Sequence, residues 1–331
     1  MGEYARSLAI ARGAGERWPG ADIRFVLSRD APYAADAPFP ATLLPSSATF
    51  HSAAVIELFE KWRPEVVVFD NAGRTAQLRA ARRLGARIVY ISARQRQRRK
   101  AFRWLWMTLI DEHWIAYPEF IAGRLGTIET LKLKMTGRPT VRFLDVIMAR
   151  GGPATRAAVL ARAGCAAGSF LLVVPGGGTG HPGVDDAAQR FAAAARALAA
   201  GGTPTVYVGP GGVGPLPQAE LVELMRASRL VVANGGSTLL QAIACGKACV
   251  AVPIAKDQAE RTRRCVAAGV ARAAALDSAS IVQAATQLLQ DDADRAALAA
   301  RAADLGLADG VELAVQALSG LLERKCGAVR A

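Results

Sequence analysis

Two stretches of this chain place glycines directly after an apolar run and before a helical one, the arrangement that presents backbone N–H groups to an anion. The first reads Val173-Val174-Pro175-Gly176-Gly177-Gly178-Thr179-Gly180-His181-Pro182-Gly183. Glycine lets the backbone approach a phosphate closely, and the helix expected from about Val184 adds a favourable dipole. No G-K-[ST] closes the stretch, so it is not a P-loop, and it is not a dinucleotide G-x-G-x-x-G fingerprint. A flexible turn is the competing reading. His181 can donate to phosphate, serve an acceptor, or sit solvated in the loop.

The second stretch is the stronger one: Val231-Val232-Ala233-Asn234-Gly235-Gly236-Ser237-Thr238-Leu239-Leu240-Gln241-Ala242. A strand runs into a glycine pair, then Ser and Thr as N-cap, then a helix. This is a second anion site made of free N–H groups and hydroxyls. Gln241, one turn into the helix, can hydrogen-bond a sugar hydroxyl. Further on, Ala248–Pro253 and Ile254-Ala255-Lys256-Asp257-Gln258 form a strand, a proline stop and a polar pair opening a helix. Asp257 and Gln258 can bind sugar hydroxyls, or Asp257 can simply cap its helix.

Asn234-Gly235-Gly236-Ser237-Thr238, Ala244-Cys245-Gly246-Lys247, Val252-Pro253 and Asp257-Gln258 together resemble the C-terminal signature of the family 28 glycosyltransferases. That family includes the peptidoglycan N-acetylglucosaminyltransferase, and the pattern is also similar to the nucleotide-sugar hydrolase of pseudaminic acid synthesis. The match spans about residues 169–270. The resemblance implies an α/β GT-B architecture, two doubly wound Rossmann-like domains facing across a cleft. It also implies a UDP-sugar-like donor in the C-terminal domain, inverting transfer, and no obligatory metal or other cofactor. In the family, Gly-Gly-Ser-Thr holds the diphosphate and a glutamate three residues after the Thr binds the ribose; here that position is Gln241. The donor-binding set expected on this basis is Gly176, Gly177, Gly178, Thr179, His181, Gly209, Asn234, Gly235, Gly236, Ser237, Thr238, Gln241, Asp257 and Gln258.

At the other end, Gly2-Glu3-Tyr4-Ala5-Arg6 resembles the tail of the family's Gly-His-x-x-Arg loop, with Glu3 in place of the histidine. Glu3 there is a general base for an acceptor hydroxyl, or a plain helix residue. Asp70, followed by Asn71, ends a strand, where an acceptor-side polar group usually lies; capping the helix after Gly73 is its other reading. Arg98, Arg99, Lys100, Trp104 and Trp106 lie in a segment, Arg94–Ile110, that is basic and then apolar. With Arg6, they form an expected surface for a lipid-linked or other acidic acceptor, or for a peripheral anionic membrane. A helix with one basic face and one core face fits the segment equally. The expected activity is transfer of a sugar from a nucleotide-sugar to a cell-envelope or polysaccharide acceptor. A hydrolase or epimerase on the same fold, or a non-catalytic partner subunit, are the alternatives.

The elements that must position these residues alternate between strand and helix almost throughout. Strand readings are Asp22–Ser28, Glu65–Asp70, Arg87–Ser92, Glu112–Ala116, Ser169–Val174, Thr205–Val208, Leu230–Ala233 and Ala248–Val252. Most are continuous apolar runs, as strands buried on both faces require. Repeated βα units imply parallel sheets. The pattern loosens around Gly137–Gly152, which predicts an N-terminal domain over 1–140, a linker over 141–152, a nucleotide-sugar domain over 153–310 and a C-terminal helix and tail over 311–331. Tyr4–Gly15 reads as a helix with no strand before it, so a first strand and part of a glycine-rich loop are expected upstream.

The 331 residues carry a net charge of +13, which suits anionic partners such as nucleotide phosphates or a membrane surface, or reflects an arginine-rich composition of the bacterial GC-rich type. No zinc-finger spacing or RRM signature appears, so nucleic acid is not an expected partner. Five cysteines without a C-x-x-C pair fit a reduced cytoplasmic compartment. No run is long and apolar enough for a transmembrane helix. Asp292-Ala293-Asp294 spells D-x-D but opens an acidic helix, where capping accounts for it.

Overall fold

The computed structural model describes residues 2–176 and 185–328. The chain forms two compact units: Glu3–Asp145 with the returning helix Gly310–Ala328, and Val146–Asp309.

The first unit contains β1 (Phe25–Ser28), β2 (Ala41–Leu44), β3 (Val66–Asp70), β4 (Arg87–Ser92), β5 (Glu112–Ile115) and β6 (Thr140–Phe143). β1 and β2 form their own parallel pair, and β3-β4-β5-β6 form a parallel sheet in that order. Both sheets share one core. Val55 and Phe59, one turn apart on the helix Ser52–Trp62, meet Leu78 and Ala81 of the helix Thr75–Arg83, Leu44 of β2, and Phe69, Ile88 and Tyr90 of the larger sheet. The helix Gly2–Arg17 reaches both sheets through Tyr4, which packs edge-on to Phe25, and Arg6, which binds Asp70. The returning helix lies against the same helix at Gly13, where an added Cβ would come within 2.5 Å of Val311 Cγ1.

Sequence periodicity does not foresee β2 or β6. β6 falls largely inside the stretch read as linker, behind Gly137 and Pro139. It is a strand because it pairs with β5 from Glu112↔Thr140 to Ile115↔Phe143, and Arg142 Nε donates to the buried Glu112 at 2.7 Å.

The second unit contains β7 (Leu171–Val174), β8 (Thr205–Tyr207), β9 (Leu230–Asn234), β10 (Cys249–Val252) and the two-residue β11 (Arg272–Ala273), all parallel, in the order β11-β10-β9-β7-β8. Every residue of β7, β9 and β10 is buried, as strands covered by helices on both faces require. The core joins Leu171, Val173, Val232 and Val250 to Phe191 and Leu198 of the helix Asp185–Ala200 and Ile281 and Leu288 of the helix Ser278–Gln290. The chain leaves β7 for β8 on one side and then crosses back to lay β9 on the other. The β7–β9 pair is therefore the topological switch point, where loops diverge and ligands of doubly wound sheets bind. No described helix is long and apolar enough to cross a membrane.

Candidate functional site

At the switch point the carboxyl ends of β7 and β9 lie side by side, with Val174 opposite Ala233. The next residue of β9, Asn234, is 6% exposed and joins the two loops. Its Nδ2 donates to the Pro175 carbonyl at 2.8 Å, and its Oδ1 accepts from the Gly236 N–H at 3.0 Å. One side chain thus fixes both glycine turns. Gly176 has φ +82, and a Cβ there would sit 2.1 Å from Asn234 Nδ2, so the close fit requires glycine.

Below the β9 turn lies the helix Lys256–Ala267. A Cβ on Gly235 would come within 2.5 Å of Thr262 Oγ1 and 2.9 Å of the Gln258 carbonyl. The buried Arg261 donates from Nη1 to the Gly235 carbonyl at 2.8 Å. The turn is therefore clamped from beneath by a guanidinium. Arg261 and Thr262 are site-supporting residues that sequence reading missed. Their only signal is helical spacing, three and four residues after Gln258.

The helix Ser237–Ala244 starts here, with Gly236 as its N-cap and no side-chain capping bond. Ser237 and Thr238 were expected as the cap but occupy the first turn, with Ser237 exposed and Thr238 buried. The N–H groups of a helix's first turn lack intrahelical acceptors, so an uncapped start beside two glycine loops is suited to an anion.

The remaining donor-side expectations divide. Asp257 and Gln258 are brought to the β9 turn. Asp257 is exposed, 3.8 Å from Arg261 Nη2, and caps nothing; the N-cap is Ala255. Gln258 Oε1 accepts from the Ile254 N–H at 3.0 Å. Gln241 is 4% exposed, and its Nε2 donates to the Ile147 carbonyl at 3.0 Å. Gly209 follows β8 at the sheet edge and packs on the Tyr207 ring. Gly177, Gly178, Thr179 and His181 lie outside the described residues.

The first unit carries a second polar cluster, at the end of β3. Asp70 accepts from Arg6 Nε at 2.9 Å, from Arg6 Nη2, and from Ser7 Oγ at 3.0 Å. Burial raises its carboxyl above the ordinary value despite the opposing pull of Arg6 and Ser7, and Glu3 adds to the rise. With both oxygens engaged by a guanidinium, Asp70 holds the Gly2–Arg17 helix on β3. Glu3 is different. It is exposed, and Oε1 accepts from Asn71 Nδ2 at 2.7 Å, while Asn71 Oδ1 accepts from the Ala93 N–H at 2.8 Å. Asn71 has φ 52, a left-handed conformation that asparagine tolerates, and this turns its amide toward Glu3. Glu3 is therefore an oriented, solvent-reachable carboxylate.

Four of the six residues expected at an acceptor or membrane surface are in fact interior or tied down. Arg6 is buried against Asp70. Arg98 is 4% exposed; it donates to the carbonyls of Ala122, Gly123 and Arg124 and pairs with Glu129. Lys100 donates to the Gly73 carbonyl at 2.8 Å, lies 4.2 Å over the Trp106 ring, and is pushed down in pKa by burial. Trp106 is buried, donating from Nε1 to Thr75 Oγ1 at 3.0 Å and meeting Tyr90 edge-on. Long cationic side chains go inside when several carbonyls converge on them, which spacing cannot show. Arg99 and Trp104 do lie on the surface. The D-x-D aspartates are ion-paired, Asp292 with Arg229 and Arg295 and Asp294 with Arg272, and the helix cap is Asp291.

This architecture, two units of parallel strands alternating with helices, is the GT-B fold found in glycosyltransferases and UDP-sugar epimerases. Similar solved structures include the spinosyn forosaminyltransferase SpnP, 14% identical, with a TM-score of 0.64 over 95% of each chain. The spinosyn rhamnosyltransferase SpnG complexed with thymidine diphosphate is 15% identical, with a TM-score of 0.59 over 96% of this chain and 97% of that one. A UDP-N-acetylglucosamine 2-epimerase is 15% identical, with a TM-score of 0.55 over 94% and 91%. No family model and no curated protein sequence matches the chain.

Proposed function

We propose that the chain is a glycosyltransferase whose nucleotide-sugar donor, of the UDP-sugar type, rests its diphosphate on the Gly176 and Gly235–Thr238 loops. The observation that carries this reading is the Asn234 strap, which fixes two glycine turns beside an uncapped helix start. Fixed N–H groups aimed at the leaving diphosphate stabilise the charge that develops on it. That a rhamnosyltransferase of this fold was solved with thymidine diphosphate supports a nucleoside diphosphate as the ligand class. Asp257 and the Gln258 amide then face the sugar. Glu3, held by Asn71, takes the proton of the acceptor hydroxyl, and Asp70 positions the helix that carries it. The family 28 resemblance supports inversion, no obligatory metal, and a cell-envelope or polysaccharide acceptor.

Calorimetric titration with UDP and TDP, followed by donor turnover across a panel of nucleotide sugars and acceptors, tests the reading. Acceptor-dependent turnover is the expected result, and Glu3→Gln should lower it by about 10²–10⁴-fold with donor affinity retained. Consumption of donor without acceptor points to a hydrolase, interconversion of two nucleotide sugars to an epimerase, and binding without turnover to a partner subunit. No binding of any nucleotide overturns the proposal.

A further inference from the structure

Three arginines of the first unit converge on one carboxylate at the amino ends of its strands. Asp111 immediately precedes β5. Arg82 Nη1 donates to its Oδ2 at 2.9 Å and its Oδ1 at 3.0 Å, and Arg138 Nη2 donates to Oδ1 at 3.1 Å. The Ile88 N–H donates to Oδ2 at 2.8 Å, so each oxygen of Asp111 already serves two donors. Arg87 Nη1 lies 3.6 Å from Oδ1, beyond hydrogen-bond reach. The backbone fixes this meeting. Arg82 comes from the last turn of the helix Thr75–Arg83, Arg87 opens β4, and Arg138 stands just before β6. The Asp111 N–H donates to the Ile88 carbonyl at 2.9 Å, and the Thr140 N–H to the Asp111 carbonyl at 3.0 Å, holding the strand starts side by side. Asp70 and Glu3 belong to the opposite end of the sheet: Asp70 is four residues beyond Val66, the β3 partner of Arg87, or about 13 Å along the strands.

The charge of the cluster does not balance. Asp70 and Glu129 of the same unit each hold one arginine, Arg6 and Arg98, whereas Asp111 faces three. These three side chains are not loose in solvent, being 33%, 26% and 33% exposed for Arg82, Arg87 and Arg138. Like charges that are partly withdrawn from water repel more strongly. Burial and the nearby Arg82 and Arg87 accordingly lower the pKa of Arg138, although Asp111 pulls the other way. Donors are also in surplus. Arg82 Nε and Nη2, Arg138 Nε and Nη1, and the Arg87 guanidinium have no hydrogen-bond acceptor among the described residues. A phosphoryl group supplies both missing quantities, a charge near −2 at neutral pH and three acceptor oxygens for planar guanidinium forks. A carboxylate ligand brings half that charge, and chloride has no acceptor directions.

We propose that Arg82, Arg87 and Arg138 bind a phosphoryl dianion, that of inorganic phosphate or of a small phosphomonoester, at the amino edge of the β4, β5 and β6 strands. The inference stands independently of the glycosyltransferase reading, since none of these residues belongs to the donor loops or to the Glu3 cluster.

Calorimetric titration of the full chain with inorganic phosphate and with glucose 6-phosphate, at an ionic strength held constant with chloride, tests it. Both are expected to bind and to raise the midpoint of thermal unfolding above that in chloride alone. Tighter binding of the ester assigns the site to a phosphorylated metabolite, and tighter binding of phosphate to the free anion. Arg87→Gln removes the one guanidinium that Asp111 does not hydrogen-bond, and it should weaken phosphate at least about tenfold with the response to UDP unchanged. Arg82→Lys keeps the charge but loses the fork, and it should weaken phosphate by less. In chloride, Arg87→Gln should unfold no earlier than the parent, because it relieves repulsion; equal destabilisation in chloride and in phosphate would mark a purely structural ion pair and overturn the proposal. No binding by the parent chain, binding that chloride matches at equal concentration, or undiminished binding by both variants overturns it as well. So does loss of phosphate binding in Asn234→Ala alone, which would put the anion on the glycine loops.

Discussion

Each unit ends a parallel strand on a short polar side chain, Asn234 on the buried β9 and Asp70 on the edge strand β3, and the two are used in opposite ways. Asn234 is neutral. It spends one donor and one acceptor on backbone and leaves the helix start beyond it uncapped. Asp70 is charged, and Arg6 and Ser7 consume both of its oxygens. An amide can organise loops without filling them, because its hydrogen bonds need no counter-ion. A buried carboxylate must first be compensated, and its compensating group occupies the very place a ligand would take. The exposed carboxylate beside that cluster is Glu3, which accepts from Asn71 Nδ2.

The sharpest way to break this contrast is to remove each strand-end group. Asp70→Asn leaves the Arg6 guanidinium buried without a counter-charge and should destabilise the fold by about 3–5 kcal/mol in urea denaturation. Nucleotide affinity at temperatures where the variant stays folded should be unchanged. Asn234→Ala should do the reverse. It strands the Pro175 carbonyl and Gly236 N–H at a cost of about 1–3 kcal/mol, and it should weaken UDP or TDP binding by at least about tenfold in calorimetry. If Asp70→Asn abolishes nucleotide binding while Asn234→Ala spares it, the division of roles is wrong.

A smaller effect separates the units by pH. His113 is buried on β5, its Nε2 paired with Ser92 Oγ at 2.8 Å, and burial pushes its pKa down to about 3. The folded chain holds the ring neutral, whereas the unfolded chain protonates it below about pH 6.5. Stability from this group is full above that value and is lost as pH falls toward 3, at no more than about 1.4 kcal/mol per pH unit. His113→Gln should therefore narrow its stability deficit relative to the parent as pH drops from 7 to 5 in denaturant titrations. The smallest effect is expected at Asp257. Its exposed carboxylate should cost less than about 0.5 kcal/mol of stability on change to Ala, so any loss of activity would report on sugar contact alone.

How much of this was legible in the sequence follows from the range over which each signal acts. β4, β7, β9 and β10 are continuous apolar runs and read directly. β2 follows a proline-rich stretch, and β6 sits behind Gly137 and Pro139; each is a strand only because a neighbour pairs with it. The glycine turns read directly as well, because backbone freedom is encoded where it is used. The Asn234 strap did not, since it depends on β7 and β9 being adjacent although 55 or more residues apart in sequence. Arg6, Arg98 and Trp106 read as surface because charge or interfacial character was visible, whereas the carbonyls and carboxylates that draw them inside come from distant segments. Ile128, Leu131 and Met135 form an apolar stripe on the helix Thr127–Thr136 that faces water, and periodicity identifies such a stripe but not which way it faces.

The packing of Gly13 against Val311 and Val315 bears on how the protein is made. Val146–Asp309 is contiguous, so on the ribosome it can complete its core as soon as it emerges. The other unit cannot, because Val311 and Val315, which meet Gly13, are synthesised only after residues 146–309. The unit whose strands come earlier thus finishes after the other. A fragment ending at Asp145 should emerge with an uncovered groove and need a chaperone, whereas a fragment of 146–309 should fold unaided.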